Sequence, residues 1–127
     1  MKKLIVLISG ILATLLIACS GSDTYRGSWK AMDQKGDKFD IIFETKNFIV
    51  KDSAGGTKKH EYTQHSYQSQ NSIKTYGIQL DDGRTYQIHF PKGDSDSIGL
   101  IKDENGHPMY TISRKAYITY DDIYKLE

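Results

Sequence analysis

The chain has 127 residues, with 17 Lys and Arg against 16 Asp and Glu, four His and a single Cys. Charges of both signs are interspersed, which gives no basic face for nucleic acid and no like-charged tail. One cysteine has no partner within the chain, so the fold must rest on its core and not on disulfides.

Residues 1–19 come first. Lys2 and Lys3 precede a run from Leu4 to Ile17 that is apolar except for Ser9, Gly10 and Thr14. Its fourteen residues would span roughly 21 Å as a helix, short of the about 30 Å of a bilayer core. The run therefore reads as a secretory signal and not as a permanent span. It ends in Leu16-Ile17-Ala18-Cys19. This ending resembles the lipobox of bacterial lipoproteins: an aliphatic residue, a tolerant position, a small residue, then Cys. The resemblance implies a diacylglyceryl group on the Cys19 sulfur and cleavage before Cys19, leaving residues 1–18 as a signal peptide. Two acyl chains anchor stably where one holds only marginally. The alternative is a cleaved, secreted form with a free thiol. Two Lys leave with the signal, so the mature part carries 15 basic against 16 acidic residues.

Residues 19–24, Cys-Ser-Gly-Ser-Asp-Thr, form a short tether, flexible by its Gly and Ser. Residues 25–127 are one domain. Its only leucines are Leu80, Leu100 and Leu126, and Ile, Tyr and Phe dominate its apolar set, as suits strands. Alternation at Phe39-Ile41-Phe43, Tyr76-Ile78-Leu80, Tyr86-Ile88-Phe90 and Tyr110-Ile112 gives one buried and one wet face. Glycine-bearing turns at 34–37, 53–56, 81–83, 92–95 and 104–106 separate the runs. About eight strands follow, near 26–32, 38–44, 47–52, 58–66, 72–80, 84–90, 97–102 and 108–114. A meander of this kind closes most simply as a small antiparallel up-and-down β-barrel, which removes free edges. An open sheet or sandwich is the alternative. The last stretch reads as a strand over 116–120 followed by a helical turn.

The only tryptophan stands in Gly27-Ser28-Trp29 on the first strand. A Gly-x-Trp there resembles the opening of the lipocalin-like barrels. The resemblance implies that an arginine from the last strand, here Arg114, packs across Trp29 and closes the base. Trp29 and Arg114 are thus the expected structural residues.

Chemistry is sparse. His60 and His65 differ by an odd number and face opposite sides of a regular strand, and His89 points to water. No metal set and no cofactor is expected. Asp94 to Gly99 begins like a calcium loop, but Ile98 and Asn105 stand where ligands are needed. No serine sits in a nucleophile context, so no catalytic residue is assigned and an enzyme is not expected. The stretch His60 to Ser72 is rich in Tyr, Gln, Ser and Asn, a mixture suited to adaptable recognition. It reads either as a wet strand pair with tyrosines dipping into the core or as a contact face using Tyr62, His65 and Tyr67. The low-Leu, Lys/Ile/Asp/Tyr-rich make-up resembles the small lipoproteins of low-GC Gram-positive bacteria such as streptococci.

These readings lead to a monomeric, non-enzymatic binding module anchored by Cys19 on the outer side of the cytoplasmic membrane, engaging an envelope protein or wall component. The alternatives are a lipocalin-like carrier of a small apolar ligand and an inhibitor or immunity-type surface lipoprotein.

Overall fold

The computed structural model describes residues 21–93 and 95–125. The signal segment 1–18, Cys19 and Asp94 of the calcium-like loop lie outside the described residues. Eight strands follow in order: β1 (Gly27–Met32), β2 (Lys38–Phe43), β3 (Asn47–Asp52), β4 (Thr57–Gln70), β5 (Ile73–Leu80), β6 (Thr85–Phe90), β7 (Ile98–Lys102) and β8 (Pro108–Ser113). Each pairs antiparallel with the next, and β1 pairs with β8, so the sheet closes into an up-and-down barrel. Among the described residues no helix is long and apolar enough to cross a membrane.

Alternation decides what enters the barrel. Trp29 and Ala31, Ile41 and Phe43, Ile78 and Leu80, Ile88 and Phe90, and Ile101 and Ile112 are all buried in one cluster. Aromatic rings dominate one end of it. Tyr25 lies 5.3 Å from Phe43 and 5.1 Å from Tyr76, both edge-on, and Trp29 lies 6.0 Å from Phe90. Edge-on pairs of this kind contribute about 0.5–1.5 kcal/mol beyond the area they bury.

Four turns at the opposite end share one backbone form. In three of them an aspartate opens the turn and a glycine stands three residues later: Asp33 and Gly36, Asp52 and Gly55, Asp103 and Gly106. Each Asp Oδ1 accepts two backbone N–H groups, from Lys35 and Asp37, from Ala54 and Gly56, and from Asn105 and His107. Each glycine has a φ between 83° and 91°, which other residues adopt only with strain. The fourth turn keeps the same backbone bonds, Leu80 N–H to Arg84 C=O and Gly83 N–H to Leu80 C=O.

Three expectations are corrected. Residues 116–120 do not form a strand. The helix α1 (Tyr120–Lys125) begins there, with Thr119 and Asp122 bonded reciprocally, side chain to backbone N–H, as a cap. β1 is already paired on both sides, so no edge remains for a ninth strand. Instead Thr111 Oγ1 donates to Ile118 C=O, which ties the C-terminal segment to the outer face of β8. Leu100, opposite Thr111, is buried although its position faces outward, and Ile123 is fully buried. The tether is not free beyond residue 20: Gly21 is buried, and its N–H donates to Thr45 C=O at 2.9 Å. Finally, β4 runs four residues past its expected end and turns into β5 through Asn71 and Ser72, at φ 54° and 67°.

Candidate functional site

The barrel interior is the first place to look for a ligand, and side chains fill it. Trp29, Phe43, Ile78, Ile88 and Ile112 are all buried to within 1% exposure, and Phe39 packs against them. Among the described residues, five clefts lie on rims and outer faces. A carrier of apolar ligands needs space where this protein places side chains.

The base of the barrel is sealed by Trp29 and Arg114. The guanidinium carbon of Arg114 lies 3.7 Å from the Trp29 ring centroid. The same guanidinium donates to the carbonyls of Ser28 at 3.0 Å, Arg26 at 2.8 Å and Thr24 at 3.3 Å. Trp29 Nε1 donates to Tyr25 C=O at 2.8 Å. Gly27 makes the crossing possible. Its φ is +104°, and a Cβ there would stand 3.1 Å from Arg114 Nη1. The spacing Gly-x-Trp thus has a physical reason: the strand must enter at a left-handed backbone position, directly beneath the arginine that covers the indole.

The same end is plugged further by residues 21–25, which lead into β1. A Cβ on Gly21 would fall 2.0 Å from Tyr62 Oη, so only glycine fits. Tyr62 Oη donates to Glu44 C=O at 2.6 Å, Tyr25 Oη to Gln64 at 2.7 Å and Tyr76 Oη to Thr24 at 3.0 Å. Burial raises the pKa of both Tyr25 and Tyr62, the latter strongly. The bonds of Tyr25 Oη to Gln64 and of Tyr76 Oη to Thr24 tie the plug to the barrel wall.

The structure separates the three residues expected to share a contact face. Tyr62 is buried at 4% exposure and belongs to the core. Tyr67 is 52% exposed and stacks on Tyr76 at 4.8 Å. His65 sits where the β4–β5 register shifts, between the pairs Gln64–Ile78 and Ser66–Gly77. That bulge explains the geometry. Two residues oppose one, so His65 and Ser66 both stand over Gly77. A Cβ on Gly77 would meet Ser66 Oγ at 2.1 Å and His65 Nε2 at 3.3 Å. After the bulge the parity of β4 reverses. Tyr67 joins the inward row with Tyr76, while Ser66, Gln68 and Gln70 face outward. His60, before the bulge, lies in the inward row opposite Phe48, and His65 stands over Gly77 on the outer face, so the two histidines face opposite sides as expected.

The outer face of β4, β5 and β6 follows from this register. β5 contributes Ile73, Thr75, Gly77 and Gln79, opposite Thr85, Gln87 and His89 of β6. None of these is charged, whereas the outward positions of β1 to β3 carry Lys30, Lys38, Asp40 and Lys51. A cleft of about 340 Å³ opens over Gly77, between His65, Ser66, Gln68, Thr75 and Gln87, with Glu104 on its rim. His89 does not point freely to water. It is half-buried, its Nδ1 is 2.8 Å from Thr75 Oγ1, and burial, then the charge of Lys102, lowers its pKa. Among the described residues, no three His, Cys, Asp or Glu side chains are grouped as a metal would need. A second cleft of about 330 Å³, more apolar, lies between Met32, Tyr110 and Tyr120.

Comparison with protein-family models, with curated proteins and with solved structures finds no match.

Proposed function

We propose that this protein is a lipid-anchored, non-enzymatic binding module of the cell envelope, and that it presents the outer face of β4–β6 to its partner. The observation that carries this reading is the uncharged face itself. In a chain in which 26% of residues are charged, three adjacent strands turn only Gln, Ser, Thr, His, Ile and Gly outward beyond the bulge. Contact surfaces are depleted of Lys, Glu and Asp at their centres.

The lipobox-like ending at Cys19 supplies the anchor, and the seat of Gly21 supports a fixed stance. Two Cα steps separate Cys19 from Gly21, a reach of about 8 Å at 3.8 Å each. The plugged mouth would then lie at the membrane surface. Tyr67 and Ile73, two of the three large exposed apolar side chains among the described residues, belong to the hairpin beside that mouth. Tyrosine suits the headgroup zone. The aspartate-opened turns would face away from the lipid.

Two experiments test this. Cys19→Ala is expected to abolish acyl labelling and to shift the protein out of the membrane fraction or leave an uncleaved precursor. Normal processing with unchanged fractionation would remove the anchor from the reading. A photo-crosslinker at Gln87 is expected to capture an envelope component that one at Lys38 does not. Equal capture from both positions, or none from Gln87, would remove the face.

A further inference from the structure

Resting on that reading, we infer that the cleft over Gly77 binds a neutral, hydroxyl-rich glycan. The argument starts from what lines it. A sugar hydroxyl both donates and accepts, and so do Ser66, Gln68, Thr75 and Gln87; an ammonium only donates and a carboxylate only accepts. His89, beside Thr75 on the same face, is bonded to it through Nδ1. An apolar protein surface pressed here would strand these groups without partners, at about 1–3 kcal/mol each. A polyol satisfies them.

Shape points the same way. At Gly77 the missing side chain makes room for Ser66 Oγ, and the bulge sets His65 and Ser66 along the edge of the cleft. The volume, about 340 Å³, is at the lower end for small-molecule sites, about 300–1,000 Å³. Thr85 adds a further hydroxyl to the same lining. Glu104 is the single carboxylate on the rim, placed to accept from a hydroxyl.

The test uses the full chain in detergent micelles, ¹⁵N-labelled and titrated separately with chitotetraose, maltotetraose and cellotetraose. The expected result is saturable shifts at Gly77 and at the Gln68 and Gln87 side-chain amides with at least one of them. Gln68→Ala with Gln87→Ala, both at exposed positions, should weaken that binding at least about tenfold, while Lys38→Ala leaves it unchanged. Three results would overturn the inference: no saturable shift with any of the three at about 10 mM, shifts confined to other faces, or equal affinity for oligogalacturonate. Failure here with specific capture of a protein from Gln87 in the envelope would leave the binding face standing and assign it a protein partner. Failure of both would remove the face as well.

Discussion

Replacing Arg114 with alanine removes four contacts at once. Its guanidinium covers the Trp29 ring at 3.7 Å and accounts for hydrogen bonds to three carbonyls of the segment that leads into β1. A cation over an indole contributes about 0.5–2 kcal/mol, and a charged donor to a carbonyl about 1.5–3 kcal/mol. These do not add in full. Arg114 is only half-buried, and water takes over part of what the side chain leaves. We expect a loss of about 2–4 kcal/mol, a large share of the about 5–15 kcal/mol that holds a domain. Arg114→Lys keeps the charge but cannot span three carbonyls, so it should recover less than half of the loss. Urea unfolding followed by tryptophan emission reads this directly, since Trp29 is the only tryptophan. A loss below about 0.5 kcal/mol for Arg114→Ala at unchanged denaturant slope would mean that the base is closed by packing alone.

Gly27→Ala should cost about 1–3 kcal/mol, from its positive φ and the approach to Arg114; a neutral result in the same urea assay would show that the backbone relaxes without strain. Gly77→Ala should destabilise by about 1–3 kcal/mol through collision with Ser66 Oγ, and adding Ser66→Ala should restore most of it; failure of the rescue would remove the bulge as the reason for the glycine. His89 has its pKa lowered in the folded protein, so the unfolded chain binds the proton more readily, and its contribution is present above about pH 6.5 and lost as pH falls. Unfolding free energy should therefore decrease between about pH 7 and pH 5, and His89→Gln should flatten that slope; an unchanged slope would place the titration elsewhere.

Most of the barrel was legible because it rests on short-range signals. Seven of the eight strands end within a residue of the expected positions, since alternating Ile, Tyr and Phe mark the inner face and glycines mark the turns. β4 was read short because Gln64 to Gln70 contains no apolar alternation, and both of its faces are exposed. The reversal of parity at His65 is set by a bulge, and its one trace in the sequence is the glycine opposite. Asp-x-x-Gly occurs four times and marks three of these turns, while the fourth, Asp96 to Gly99, leads into β7, so the pattern alone does not fix the turn geometry. Residues 116–120 have strand-like composition, but a closed barrel offers them no partner. Gly21 looked like linker because its role depends on Tyr62, distant in sequence. For the proposed binding face, composition pointed to residues 60–72, but Tyr62 turns inward and Gln87 joins the face from another strand.

The seam of the barrel is narrow. β1 and β8 meet through Lys30–Ser113, Ala31–Ile112 and Met32–Thr111 only, residues from opposite ends of the chain. Synthesis proceeds from the N-terminus, so β1 exists as an open edge until nearly the whole protein has been made. Until then every intermediate is an unclosed ribbon able to pair with a neighbour. Arg114, the residue directly after β8, reaches back to Thr24, Arg26 and Ser28 and latches the seam as it forms. A chain that stops before Pro108 lacks both strand and latch, and should persist as a sticky open sheet and not as a smaller barrel.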